Sequence, residues 1–291
     1  MTTKTYDRTE KDLGNIVALE HLNVRVPSQQ IATAFYVCGL GFTRDPYLMV
    51  GLDNMWINLG QQQFHLPTGA AQVARAVTGL VVPDLDALAA RLAAVKGDLA
   101  GTKFSFGTEN GHVNVTCPWG NRFRCHAPGR EFGDMTLGMA YVEFAVPEGH
   151  APGIARFYER VMRARARVDE GGRAPAARVL VGHDQQLVFR ETAEPIPPYD
   201  GHHIAIYIAD FSGPHAWLNE HGLVTEESSA IQYRFTDIVD PETRAPLFVI
   251  EHEVRCVTHP MFLRPLVNRN PAQRQPTYER GRDAFVPPTR L

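Results

Sequence analysis

The chain has 291 residues, of which 44% are hydrophobic, and a formal net charge of −3. This length allows a full core and two domains, while the interspersed charges exclude the basic stripe of a nucleic-acid-binding protein. No stretch approaches the ~20 apolar residues of a membrane span, and the four cysteines lack metal or disulfide spacing. We therefore expect a globular cytoplasmic protein that binds a small molecule rather than nucleic acid or a membrane, with homo-oligomer formation left open.

The first predicted unit is a strand followed by a helix and three further strands. Alternating polarity predicts the strand at 20–27, and apolar residues at helical spacing predict a helix over 29–39 that ends at Gly39 and Gly41. Extended segments are expected at 41–47, 54–59 and 62–66.

The same order recurs three times along the chain. In the second unit we predict a helix at 85–95 and strands at 76–83, 103–106, 112–116 and 121–126. In the third we predict a helix at 153–162 and strands at 140–147, 166–169, 178–181 and 186–190. In the fourth we predict a helix at 214–220 and strands at 202–208, 231–237 and 247–254. The tail from residue 260 has no clear periodicity and is rich in Pro and Arg. The chain is therefore predicted to consist of four βαβββ modules in an α+β fold.

The four modules resemble the vicinal oxygen chelate superfamily of glyoxalases, extradiol dioxygenases and bleomycin-binding proteins. The resemblance covers residues 16–255 and is carried by the module order, by Phe35-Tyr36 in the first helix with its echo Phe157-Tyr158, and by the glycine-rich segment 39–42. It implies two cupped domains, at 16–128 and 137–255, with metal ligands on the first and last strands of each module. Residues 256–291 are expected to form an extended arm over the surface or a neighbouring subunit.

The positions that the resemblance assigns to metal ligands are not filled equally in the four modules. The first strands carry His21, Val77, Tyr141 and His203 in turn, and the last strands offer His65, Arg124, Val188 or Phe189, and Glu251. Only modules one and four therefore offer metal ligands at both positions. We predict that these two modules pair around one metal and that modules two and three form a metal-free companion, with Glu143 as a fallback ligand if modules three and four pair instead.

Strand alternation decides which side chains face the cleft. In the first strand Leu22, Val24 and Val26 form the apolar face, so His21 points into the cleft, and the same parity turns His203 and Tyr207 inward. We predict His21, His203 and Glu251 as metal ligands and His65 and Tyr207 as catalytic residues. His65 is either a fourth ligand or a general acid/base.

Neighbouring polar residues have simpler interpretations. Strand alternation turns His202 and His252 away from the face that carries His203 and Glu251, so neither is expected to bind the metal. Glu253 is expected to fix a histidine tautomer. Three residues, Arg122, Arg124 and His126, line the metal-free cup and could hold a carboxylate, although a solvated charged face is the simpler interpretation.

Two imidazoles and a carboxylate with open positions suit Fe(II), which we favour, while Zn, Mn, Ni or Co would also fit. The expected function is a metal-dependent enzyme whose substrate chelates the metal through two neighbouring oxygens, with extradiol-type ring cleavage first. The alternatives are a glyoxalase-type lyase or isomerase, and a binding protein without catalysis of the bleomycin-resistance type. Metal content separates the binding protein from the enzymes.

Overall fold

A computed structural model of the chain describes residues 6–48 and 53–269. The predicted arm lies within this range only as far as residue 269, so its remainder, 270–291, is outside the described residues. Within the described ranges, no helix combines the length and the apolar character that crossing a membrane requires.

The first two modules follow the predicted order. Module one contains β1 (Ile16–Asn23), α1 (Gln29–Ala32), which continues as a π-helix (Thr33–Gly39), β2 (Thr43–Arg44), β3 (Asn54–Leu59) and β4 (Gln62–Pro67). Module two contains β5 (Ala76–Val81), α2 (Leu85–Ala94), β6 (Ser105–Glu109), β7 (His112–Thr116) and β8 (Arg122–His126). The Ser28 side chain caps α1, and Gly41, with a φ of 79°, follows the π-helix.

The last two modules include one strand that the sequence pattern missed. Module three contains β9 (Gly138–Pro147), α3 (Ala151–Arg160), β10 (Ala166–Asp169), β11 (Ala176–Leu180) and β12 (Gln186–Thr192). Module four contains β13 (His203–Ile208), α4 (Ser212–Glu220), β14 (Val224–Ser229), β15 (Gln232–Val239) and β16 (Pro246–Cys256). The missed strand, β14, is an exposed edge strand of polar residues, and therefore lacks the apolar alternation that predicts a half-buried strand.

Modules that are distant in sequence share each sheet. One eight-stranded sheet, here called the 1–4 sheet, has the order β14-β15-β16-β13-β1-β4-β3-β2, and the other, the 2–3 sheet, has the order β10-β11-β12-β9-β5-β8-β7-β6. In both sheets the two modules meet through an antiparallel pair, β1 with β13 and β5 with β9. The predicted pairing of modules one and four is confirmed.

Modules that are consecutive in sequence pack their apolar faces together. In the first pair, the Phe123 ring lies 5.9 Å from the ring of Phe35 and 5.7 Å from that of Phe64. In the second pair, the Phe157 and Phe235 rings lie 5.8 Å apart. The hydrogen-bonded sheets thus join module one to module four and module two to module three. The aromatic core contacts instead join module one to module two and module three to module four. The predicted domains 16–128 and 137–255 follow the second grouping, and their bounds stay a prediction.

The described part of the arm lies over the 1–4 sheet. Asn268 exchanges two hydrogen bonds with the backbone of Gly60, at 3.0 and 2.8 Å. Arg264 donates to the buried carboxylate of Asp45 at 2.7 Å, and the Phe262 ring lies 4.9 Å from that of Tyr207. The described part of the arm thus contacts its own chain, at Asp45, Gly60 and Tyr207.

Candidate metal centre

Three histidines lie on one face of three adjacent strands of the 1–4 sheet. Asn23 on β1 pairs with His203 on β13 and with His65 on β4, and His21 precedes Asn23 by two residues on the same strand. Because side chains two residues apart share a face, all three imidazoles point into the cup. The predicted orientation of His21 and His203 is thus observed.

The imidazole nitrogens of these histidines converge. The Nε2 atoms of His21 and His203 lie 3.4 Å apart, and the His65 ring centroid lies 5.7 Å from that of His21. One nitrogen from each of the three rings falls within 4.8 Å of the others, a spacing that could hold one metal ion. A donor set of three imidazoles suits several divalent metals, among them Fe, Zn and Ni.

A polar side chain faces the other nitrogen of each ring. The His21 Nδ1 lies 3.1 Å from Glu20, the His203 Nδ1 lies 3.2 Å from Glu251, and the His65 Nδ1 lies 2.6 Å from the Asn23 amide. The Nε2 of His65 is buried and has no hydrogen-bond partner among the described residues. Metal-ligating histidines are held in this way, with the outer nitrogen hydrogen-bonded and the inner lone pair free for the metal. The residues present therefore fit a divalent metal.

Burial keeps two of these rings neutral. Burial lowers the pKa of His21 well below its usual range, and burial together with the neighbouring histidines lowers the pKa of His65 to about 2. A neutral imidazole is the form that binds a metal.

The two candidate carboxylates occupy different places around His203. Glu251 pairs with His203 and lies beside Nδ1, the outer nitrogen. Glu253 pairs with Ala205, and its Oε2 lies 3.5 Å from the His203 Nε2 on the inner side. The register therefore places Glu253 at the position equivalent to His65, two residues further along β16 than the predicted ligand Glu251.

Two arginines hold the carboxylates of the centre in place. Arg234 on β15 forms close ion pairs with both Glu251 and Glu253, and the buried Arg255 on β16 forms close ion pairs with Glu253 and Glu20. A register shift in β1 between Leu19 and His21 leaves Glu20 out of the regular alternation and beside His21. Three carboxylates against two guanidinium groups leave a formal charge of −1, which favours a cation at the histidine nitrogens.

The predicted catalytic residue Tyr207 lies beside this network. Its hydroxyl lies 3.3 Å from an Arg255 nitrogen and also contacts Glu20, and burial raises its pKa, so the phenol stays protonated. Tyr207, Glu20 and Gln63 also line a cavity of about 460 Å³ beneath the arm. Tyr207 is thus connected to His21 through Glu20.

Other predicted candidates are placed elsewhere. Glu143, the fallback ligand, lies on the 2–3 sheet in ion pairs with Arg173 and Arg190, both at 3.0 Å. His202 is fully buried against Asp200 at 2.6 Å, and His252 is stacked on Phe235 in the core, as parity predicted.

Several site residues were missed in the sequence, because they are defined by neighbours on other strands. Glu20 is reached only through the irregularity in β1. Arg234 is reached through the register of β15 against β16, which places it opposite Glu253, and Arg255 contacts Glu20 through the pairing of module four with module one. Trp56 on β3 stacks on His65 with ring centroids 3.9 Å apart. Its pairing opposite His65 follows from the β3-β4 hairpin, which is the one signal in the sequence that could have found it.

Comparisons with known proteins give structural matches only. No family model and no curated protein matches the sequence. Among solved structures, a Bacillus subtilis protein provisionally assigned as a dioxygenase aligns over 86% of this chain and 88% of its own, at 15% identity and a TM-score of 0.54. Glyoxalase I from Zea mays aligns over 82% and 92%, at 14% identity and a TM-score of 0.54. The chain therefore has the vicinal oxygen chelate fold.

Proposed function

We propose that the chain is a divalent-metal enzyme that acts on a small molecule with two neighbouring oxygens. The observation that carries this proposal is the convergence of the inner nitrogens of His21, His65 and His203, each ring oriented by a polar partner on its other nitrogen. A bound metal would act as a Lewis acid and as a template for both oxygens of the substrate.

The favoured reaction is extradiol-type ring cleavage with Fe(II). The Glu253 carboxylate lies between Arg234 and Arg255, so in this reaction we assign the metal to the three histidines alone. A metal held by the three histidines alone would keep open positions for a chelating substrate and for dioxygen. The structure of the Bacillus subtilis protein is in line with this reaction class, through its fold alone.

A glyoxalase-type lyase or isomerase is the second candidate. It is favoured by the register, which makes Glu253 the equivalent of His65 and so provides a fourth donor at a corresponding place. Four protein donors leave two positions, which a chelating substrate fills without room for dioxygen.

The chain supplies binding and orientation in either case. Glu20, Asn23 and Glu251 hold the three imidazoles, so that little reorganisation accompanies metal binding. Arg234 and Arg255 hold the carboxylates of Glu20, Glu251 and Glu253 in place beside the histidines. The cavity beneath the arm is lined largely by apolar side chains, together with Glu20, Gln63 and Tyr207. None of the three histidines lines this cavity, so it adjoins the centre through Glu20.

Oxygen dependence tests the choice between the two reactions. Protein reconstituted anaerobically with Fe(II) should consume dioxygen when a catechol panel is added, and should not exchange the α-proton of an α-hydroxycarbonyl compound in D₂O. Exchange without oxygen uptake, also with Ni or Zn, would favour the lyase or isomerase. Protein that takes up no metal and shows neither activity would be the non-catalytic binding protein.

Substitution of His65 tests whether that residue is a ligand. We expect His65→Ala to lose bound metal, because its Nε2 is one of the three converging nitrogens. A general acid/base would instead contribute ~10²–10⁴-fold to the rate and little to metal affinity. Elemental analysis after gel filtration, together with the rate at saturating metal, separates the ligand role from the acid/base role. Retained metal with lost turnover would contradict the ligand role.

Two carboxylate variants test the role of Glu253. If Glu253 only supports the centre without binding the metal, Glu253→Gln should weaken metal affinity by ~10–100-fold. Glu251→Gln, which loses the partner of the His203 Nδ1, should give a similar loss. The measurement is metal titration of both variants. A much larger loss for Glu253→Gln than for Glu251→Gln would make Glu253 a direct ligand and favour the second candidate.

A further inference from the structure

The cup of the 2–3 sheet has its own cavity, of about 880 Å³. Arginines from several segments line it, and the proline-rich segment 195–198 forms another part of its wall. Two of these arginines, Arg173 and Arg190, share the carboxylate of Glu143 at 3.0 Å each. Acidic side chains also line the cavity, so the argument depends on which arginines have partners.

Three other arginines of this cavity lack a carboxylate partner. Within residues 6–48 and 53–269, no carboxylate oxygen lies within 4.0 Å of a guanidinium nitrogen of Arg75, Arg122 or Arg124. Arg75 instead lies over the Phe248 ring at 4.4 Å. The Nε of Arg124 is buried without a hydrogen-bond partner, so this guanidinium has unused donor capacity inside the cup.

The register places Arg124 at a position with a counterpart in the metal centre. Arg124 on β8 pairs with Gly79 on β5, as His65 pairs with Asn23 in the 1–4 sheet. Tyr141 occupies the position equivalent to His203, and Val77 that equivalent to His21. A fixed cation and a phenol therefore stand where the other cup has imidazoles.

Contacts around Tyr141 fix this arrangement. The phenol oxygen lies 3.0 Å from the His126 Nε2 and also accepts from Arg124. A Cβ at Gly79 would lie 2.1 Å from the Tyr141 ring, so only glycine lets the ring lie across β5 toward β8. The Arg124 guanidinium is thus held from one side while its Nε stays free.

We propose that the cup of the 2–3 sheet is a metal-independent binding site for a small organic carboxylate, held by Arg122 and Arg124. A guanidinium binds a carboxylate through two parallel hydrogen bonds. Val77, Ala145 and the proline-rich segment supply apolar surface for the attached carbon skeleton. The site requires neither the histidines nor a metal, so it stands independently of the proposed enzymatic function.

Calorimetry on metal-stripped protein tests the proposal, with benzoate as the probe. Benzoate should bind, whereas benzyl alcohol, which lacks the carboxylate, should not. The double variant Arg122→Gln with Arg124→Gln should bind benzoate at least about tenfold more weakly, as expected for the loss of charged hydrogen bonds. Arg122→Gln alone, on an exposed side chain, gives a second variant that keeps the fold. Arg178→Gln is the matched control, because Arg178 lies on the same sheet but is paired with Asp169 at 2.7 Å.

Three results would overturn the carboxylate site. They are benzoate binding that is unchanged in the Arg122 and Arg124 variants, benzoate binding that falls equally in Arg178→Gln, and binding of inorganic phosphate with none of benzoate.

Discussion

Replacement of His21 by Ala should abolish metal binding and turnover together. His21 is fully buried, and its Nε2 lies 3.4 Å from that of His203 at the centre of the cluster. Loss of an outer partner of a ligand already costs ~10–100-fold in metal affinity, so loss of the ligand itself should exceed that range. Elemental analysis and metal titration, beside a circular dichroism spectrum that shows an intact fold, are the measurements.

The matched control for this variant is His112→Ala. His112 lies on β7 of the 2–3 sheet, where its ring centroid is 5.6 Å from that of His126. The His112→Ala variant should therefore keep its full metal content and activity. If His21→Ala retains stoichiometric metal, the centre is not where the three histidines meet. If both variants lose metal, the loss reflects a general effect on the protein.

Arg255→Leu should destabilise the metal-free protein by about 3–5 kcal/mol. The Arg255 guanidinium is buried between the carboxylates of Glu20 and Glu253, which are themselves buried. Its removal leaves two buried carboxylates with one cation fewer, and breaking a buried pair by deleting one partner costs about this much. The free energy of unfolding in urea, measured with a chelator present, gives the value.

An exposed ion pair provides the comparison for Arg255. Arg160 is 54% exposed in its pair with Glu242 at 2.8 Å, and Arg160→Ala should change the free energy of unfolding by less than about 1 kcal/mol. Equal effects of the two substitutions would mean that the carboxylates around Arg255 are reached by water. The network would then contribute little to the fold.

Strand alternation was sufficient to predict which residues face the cup. Leu22 and Val24 are buried in the core, and His21 faces the other way, as the period of two requires. The sorted distribution of His21, His65 and His203 among the modules also predicted which modules pair. These features depend on local pattern, which a sequence displays directly.

The choice of carboxylate depends on information that a single sequence lacks. Glu251 and Glu253 have the same parity, and only the register of β16 against β13 shows which lies beside the inner nitrogen of His203. Glu20 contacts His21 because β1 departs from regular pairing there. Arg234 reaches the site because the register of β15 against β16 places it opposite Glu253, and a single sequence does not show that register.

The crossed arrangement of sheets and cores has a consequence for folding. β1 and β13 pair across a separation of about 180 residues, and closing so long a loop carries an entropic cost before any contact forms. The histidine cluster therefore cannot assemble until β13 has left the ribosome. Proteins dominated by such non-local pairings fold slowly. During synthesis the hydrogen-bonding edge of β1 has no partner from module four, so this strand is the segment we expect a chaperone to shield in the nascent chain.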